Sequence, residues 1–262
     1  MLIQTSYLAD KEVAMLEVKN LMVFFENALA INDLTLTVSE GEFVGVIGSN
    51  SAGKTTLMNT VSGLIIDMKI KERRKGGERI NIYGEIIFKG QNVTKAQPFE
   101  RVENGLVLSR ERHPIFAESD VAENLKIAGH QVKRSELAQR IKVVYDIFPA
   151  LSPLKKRKAG FLSGGEQQML AIGMALILKP SLLLLDEPLL GLSPMMQTTL
   201  IDAISNLRKE SGITILITEQ FARPVLPVID RGYVIENGML ALSGTGEELM
   251  DNPEIRSAYF GV

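Results

Sequence analysis

Gly48-Ser49-Asn50-Ser51-Ala52-Gly53-Lys54-Thr55-Thr56 follows the apolar run Phe43 to Ile47 and leads into residues whose apolar spacing turns helical up to Gly63. The stretch matches G-x-x-x-x-G-K-S/T in the setting that this pattern requires, a buried strand before it and a helix after it. Each residue type has a chemical reason. Gly48 and Gly53 let the backbone curl so that successive N–H groups and the helix N-terminus face an anion, where a side chain would block the approach. Lys54 supplies a point charge between terminal phosphates, and the Thr55 hydroxyl is a ligand for Mg²⁺. The run from Gly48 to Thr56 is therefore read as a phosphate cradle.

A second stretch completes the chemistry. Ser181-Leu182-Leu183-Leu184-Leu185-Asp186-Glu187-Pro188 is a continuous apolar run that ends in two carboxylates. A fully buried central strand that expels two acids at its C-terminal end puts them where open α/β sheets bind ligands. Asp186 is placed to hold Mg²⁺ through water, and Glu187 to polarise the attacking water.

Outward from these runs, alternation marks strands at Leu16 to Phe25 and Leu34 to Val38, with a turn at Ser39 to Gly41. After the first helix comes a basic stretch from about Asp67 to Asn81, with MKIKERRKGGERIN at 68–81, that reads as a solvated hairpin tip, with a contact to lipid headgroups or a membrane partner as the alternative. Strands return at Gly84 to Phe88 and Gly105 to Leu108, and residues 121–178 are mostly helical, punctuated by Pro149 and Pro153. The strand Ser181 to Leu185, the helix Pro194 to Lys209 and the strand Ile213 to Thr218 form a parallel α/β unit. Short strands at Tyr233 to Glu236 and Leu240 to Ser243 follow, with a helix or two.

Composition narrows the function classes. With 29 basic and 31 acidic residues among 262, the chain has no global pull toward nucleic acid or anionic lipid, so phosphate binding has to be local. There is no cysteine, which excludes disulfides, thiolate metal sites and thiol nucleophiles and fits a reducing compartment such as the cytoplasm. No apolar run approaches the roughly 20 residues of a membrane span. The opening MLIQTSYLADKEVA lacks the basic start and greasy stretch of a signal peptide; residues 1–14 read as a flexible extension, dispensable to the fold, ahead of one domain over 15–262.

Leu162-Ser163-Gly164-Gly165-Glu166-Gln167 makes a family recognisable. It is again a serine and two glycines opening a helix, a second anion-facing site. The hexapeptide resembles the signature motif of ABC ATPases. That resemblance extends over nearly all of Leu16 to Val262. LSGGEQQMLAIGMA, LLLLDEPLLGLSP and the ending Ala258-Tyr259-Phe260-Gly261-Val262 look most like the ATP-binding subunit of branched-chain (hydrophobic) amino acid importers.

The resemblance implies an α/β fold: a P-loop NTPase core of mixed or parallel sheet with flanking helices, an antiparallel β subdomain and an inserted helical subdomain. The core would comprise 15–110 and 171–262, and the helical subdomain about 111–170. It also implies a dimer, homo- or heteromeric, in which Lys54 of one subunit and Ser163, Gly164, Gly165 and Glu166 of the other clasp one ATP. Transmembrane permease subunits would be the partners, with the motor on the inner face of the cell membrane and no nucleic acid involved. Phe25 stands where the family stacks a ring on adenine, with a plain core aromatic as the alternative.

Several positions depart from the wider family. Glu111, in SRERHPIF, stands where a glutamine usually links nucleotide to the membrane partner; a carboxylate there can bind Mg²⁺ or water. Gln220 replaces the histidine that touches the γ-phosphate, so it can donate a hydrogen bond but cannot titrate near neutral pH. Hydrolysis is then expected to rest on Glu187 and Lys54, with Gln220 positioning groups. Ser193 replaces an aspartate that normally crosses the dimer interface. Ser51 replaces a common glycine and is tolerable if its φ is negative. Pro224 and Pro227 shorten or kink the helix expected after Gln220.

Three functions fit such a chain. The first is an importer ATPase for branched-chain or other hydrophobic amino acids, with urea or short amides as related cargo. The second, an ABC protein acting on DNA or ribosomes, would carry two motor units or a coiled coil with a metal-binding cysteine pair, features missing from this sequence. The third, a regulator that binds ATP without turnover, is disfavoured by Glu187.

Overall fold

The computed structural model describes residues 14–77, 79–111 and 114–257. The extension over 1–13, His113 and the ending 258–262 lie outside the described residues. The elements run β1 (Ala14–Phe25), β2 (Ala28–Ser39), β3 (Phe43–Ile47), α1 (Lys54–Val61), α2 (Leu64–Arg74), β4 (Ile80–Phe88), β5 (Gln91–Asn92), α3 (Pro98–Glu103) and β6 (Leu106–Ser109). Then follow α4 (Val121–Ala128), α5 (Arg134–Ile147), α6 (Gly164–Leu176), β7 (Leu182–Asp186), α7 (Pro194–Ser211), β8 (Thr214–Glu219), β9 (Arg231–Glu236), β10 (Met239–Thr245), α8 (Gly246–Asp251) and α9 (Pro253–Ile255).

Two sheets result. One is antiparallel with strand order β2-β1-β4-β5; the other has order β10-β9-β3-β8-β7-β6, parallel from β9 through β6, with β10 antiparallel at its edge. Parallel strands buried on both faces need apolar side chains in both directions, and β7 supplies them. Leu182 and Leu184 enter the core shared with α1 and the antiparallel sheet, while Leu183 and Leu185 enter the core under α6 and α7. The strand β3 divides the same way, Val44 and Val46 against Phe43 and Ile47. This leaves α1 between the two sheets, with Leu57, Met58 and Val61 buried in the first core.

The helix starts obey local rules. Ser163 caps α6 in a reciprocal capping box with Glu166, and Asp120 caps α4 by accepting from the Glu123 N–H. Ser193 with Pro194 opens α7, which Gly212 closes at φ 67°.

Two expectations are corrected. The basic insertion is not a hairpin: α2 carries it as far as Arg74, and the chain turns only at Lys75 and Gly76 before β4. The apolar residues Leu64, Ile65 and Ile66 nucleate that helix, Ile65 being buried, and the Lys71–Asp67 pair one turn apart supports it. Arg79 then ties the insertion back to the β1–β2 turn through ion pairs with Glu26 and Glu72. After Gln220 there is no helix, short or kinked. A chain of turns spans 223–228, because Pro224 and Pro227 bring no N–H to a helical ladder.

Candidate functional site

The phosphate loop leaves β3 at Ile47 and closes on α1. Gly53 has φ 104°, and a Cβ there would stand 2.8 Å from the Ala30 carbonyl oxygen; a Cβ on Gly48 would stand 2.6 Å from the Ile235 oxygen. Only glycine meets both demands. Ser51 overturns the expectation of a negative φ: it lies at φ 66°, in the left-handed region. The loop keeps that turn with a side chain in a conformation that favours glycine.

Lys54 is 3% exposed, and its Nζ donates to the carbonyl oxygens of Gly48 (2.8 Å) and Ser49 (2.9 Å). The same ammonium pairs with Glu187 Oε1 at 3.0 Å. A charged pair this buried persists only with its remaining bonds satisfied, which the loop carbonyls do for the lysine. Thr55 Oγ1 lies 3.4 Å from Asp186 Oδ1, and Thr218 Oγ1 donates to that same oxygen at 2.8 Å. Burial, above all, raises the Asp186 carboxyl from its ordinary range; the charges of Glu187 and Glu111 add to the rise, and the hydroxyls of Thr218 and Thr55 oppose it. Glu111, half-buried after β6, therefore stands close enough to act on Asp186.

Glu187 is 9% exposed and, like Ser51, sits in the left-handed region, with φ 46°. Its N–H donates to the carbonyl (3.1 Å) and the hydroxyl (3.2 Å) of Thr218, so the end of β8 holds the turn in place. Strain at a carboxylate that faces a phosphate cradle is a recurrent mark of a working site.

A cavity of about 150 Å³ is lined by Ala30, Ser51, Gly53, Lys54, Thr55, Thr56 and Glu187. The fold thus brings the cradle and the acidic strand end together. It does not bring the second anion site there. Ser163, Gly164 and Glu166 are at the exposed start of α6, where a Cβ on Gly165 would stand 2.4 Å from Met196 Cε, so this motif packs on the opening turn of α7. Phe25 is half-buried against the α1-side core, at the turn held by Arg79, and does not line the cavity. Gln220 is half-buried directly after β8.

Two residues escaped the reading of motifs. Thr218 anchors both Asp186 and Glu187. Glu219, 1% exposed, accepts from the Leu189 N–H at 2.8 Å. Burial pushes its carboxyl up to about 8; the Glu187 charge adds to this, and the bonds from the Leu189 and Gln220 N–H groups and the Lys54 charge oppose it. A signal existed: TILITE ends a buried apolar strand in an acid, as LLLLDE does.

Comparison with known proteins agrees with this geometry. The family model described as ABC transporter matches residues 31–190. The high-affinity branched-chain amino acid transport ATP-binding protein BraG of Pseudomonas aeruginosa is 35% identical over 94% of this chain and 100% of its own. The probable branched-chain amino acid transport ATP-binding protein LivF of Archaeoglobus fulgidus is 34% identical over 88% of this chain and 92% of its own. Among solved structures, the ADP conformation of MJ1267, an ATP-binding cassette of an ABC transporter, superposes with a TM-score of 0.79 at 27% identity, covering 95% of this chain and 99% of that one.

Proposed function

The chain belongs to the ABC transporter family of ATPases, and from that premise we propose that it is the motor of an importer for branched-chain or other hydrophobic amino acids, working as a head-to-tail dimer beneath membrane permease subunits. The observation that carries the catalytic part is the convergence of Lys54, Thr55 and Glu187 on one small cavity, with Asp186 behind it, 3.4 Å from the Thr55 hydroxyl. The cargo is supported by the two relatives named for branched-chain amino acid transport.

The residues fit a magnesium nucleotide. Thr55 and Asp186 offer hard oxygen donors beside a cradle of N–H groups, and Mg²⁺ bound with phosphates asks for few protein ligands. The ion would neutralise charge on the terminal phosphates. The chain's own groups do the rest. Lys54 is engaged by Glu187; a γ-phosphate in the cradle would compete for that ammonium and leave the Glu187 carboxylate to polarise a water. Gln220 donates a hydrogen bond to the γ-phosphate or that water.

A cavity of about 150 Å³ takes phosphate groups, whereas whole small-molecule sites run to roughly 300–1,000 Å³. The rest of the nucleotide must meet other surfaces. Phe25 is proposed for the base. The Ser163–Glu166 helix start of a second subunit is proposed for the far side of the phosphates. The exposure of that helix start, away from the cavity of its own chain, supports a site completed by a partner.

The test has two parts. Glu187→Gln is expected to lose hydrolysis by a factor on the order of 10³ while still binding ATP, and Lys54→Ala to lose ATP binding, both measured on the purified protein. Reconstituted with its permease and binding protein in liposomes, the wild type is expected to take up leucine, isoleucine or valine in an ATP-dependent way. Uptake of urea or amides in their place would reassign the cargo; Glu187→Gln hydrolysing at the wild-type rate would remove the catalytic assignment.

A further inference from the structure

Glu219 is the buried acid that the hydrolytic scheme leaves unused, and it bonds to three parts of the site. Its main-chain oxygen accepts from the Gly48 N–H at 3.2 Å, the first residue of the phosphate loop. Its side-chain Oε1 accepts from the Leu189 N–H at 2.8 Å, two residues past Glu187. The Gln220 N–H donates to the same carboxyl. Leu189 is itself buried, so no water replaces that acceptor.

The turn that carries Glu187 therefore hangs from the end of β8 by two N–H groups, that of Glu187 on Thr218 and that of Leu189 on Glu219. Glu187 has φ 46°, a conformation that lasts only where neighbours over-determine it. Resting on the reading of Glu187 as the group that polarises water, we propose that Glu219 is a positioning residue for hydrolysis, its side chain fixing the Glu187–Leu189 turn in register with the phosphate loop and Gln220.

Without the acceptor, the Leu189 N–H is buried and unpaired, and the turn relaxes away from Thr218. Misplacing a reacting group by about 1 Å costs on the order of 100-fold in rate. Nucleotide affinity rests on Lys54 and the N–H groups of the loop, none of which donates to the Glu219 side chain. The effect is thus expected on kcat and not on affinity.

The experiment compares wild type, Glu219→Gln, Glu219→Ala and Glu187→Gln for ATP turnover and for equilibrium binding of ATP. Glutamine keeps an oxygen for the Leu189 N–H and the same volume, so Glu219→Gln should retain turnover within about 3-fold. Glu219→Ala should lose turnover by about 10- to 100-fold with the dissociation constant for ATP changed less than about 3-fold. Should the alanine variant not fold, Glu219→Leu, which fills the space and lacks the acceptor, takes its place with the same expectation. Wild-type turnover in the variant lacking the acceptor, a parallel loss of binding and turnover, or a glutamine variant as impaired as the alanine one would each overturn the proposal. If Glu187→Gln itself turns over normally, the reading of Glu187 fails and the proposal falls with it; a dead Glu187→Gln beside an unaffected Glu219→Ala removes Glu219 alone.

Discussion

Glu219 holds a proton in the folded chain that the unfolded chain gives up. Its carboxyl rises from an ordinary 4.5 to about 8, chiefly because burial disfavours the charge. Between those values the native state binds more protons than the unfolded one, so the stability that this carboxyl contributes is full below about pH 4.5 and is lost as pH climbs to about 8. Asp186 is shifted in the same direction. Melting curves of the nucleotide-free protein should therefore drop more steeply from pH 5.5 to 8.5 in wild type than in Glu219→Gln, by up to a few kcal/mol; parallel curves would show that the carboxyl titrates normally. Ser51, at φ 66°, offers a second check at this scale. Ser51→Gly should fold and bind ATP as well as wild type, whereas Ser51→Val should lose about 1–2 kcal/mol, since a β-branched side chain suits that conformation least.

The sequence displayed Lys54, Asp186 and Glu187 because each belongs to a contiguous pattern whose chemistry dictates its neighbours. Glu219 stayed hidden for a physical reason. Its partner is a backbone N–H on another strand's turn, joined only because β7 and β8 pair in parallel with Asp186 beside Thr218. No spacing encodes such a contact.

At the scale of elements, α1 is held at both ends. Its start is the phosphate cradle. Its last turn is bound by Arg101 of α3, whose buried guanidinium donates to the carbonyl oxygens of Thr60 (2.8 Å) and Val61 (2.7 Å), and also to those of Ala96 (3.2 Å) and Thr94 (3.2 Å). A cation at a helix C-terminus satisfies orphan carbonyls and complements the dipole, and it stays charged here although burial lowers it to about 10. Arg101→Ala should cost roughly 3 kcal/mol in chemical denaturation, since buried carbonyls lose their donors and a void opens; a loss below about 1 kcal/mol would contradict this role. The alternating strands and the helices α1, α6 and α7 were legible because hydrophobic period and a helix-opening Ser-Gly-Gly are local signals. The helix α2 was misread because its exposed face is charged throughout, and a charge run says nothing about backbone conformation; what fixed it was the buried Ile65 and the tie from Arg79 to Glu26.

At the scale of the whole molecule, one chain carries two helix starts that suit an anion, at Lys54 and at Ser163, and only the first opens onto the cavity with Glu187. Among the described residues no helix is long and apolar enough to cross a membrane. The proposed arrangement holds ATP between the Lys54 loop of one subunit and the Ser163 helix of another. The most direct test is the mass of Glu187→Gln in solution by light scattering, with saturating Mg-ATP and with Mg-ADP, alone and mixed with any second ATP-binding subunit of the same transporter. In that arrangement a dimer forms with Mg-ATP, dissolves with Mg-ADP, and is abolished by Ser163→Arg; a chain that binds ATP fully and remains a monomer in every mixture would rule the arrangement out.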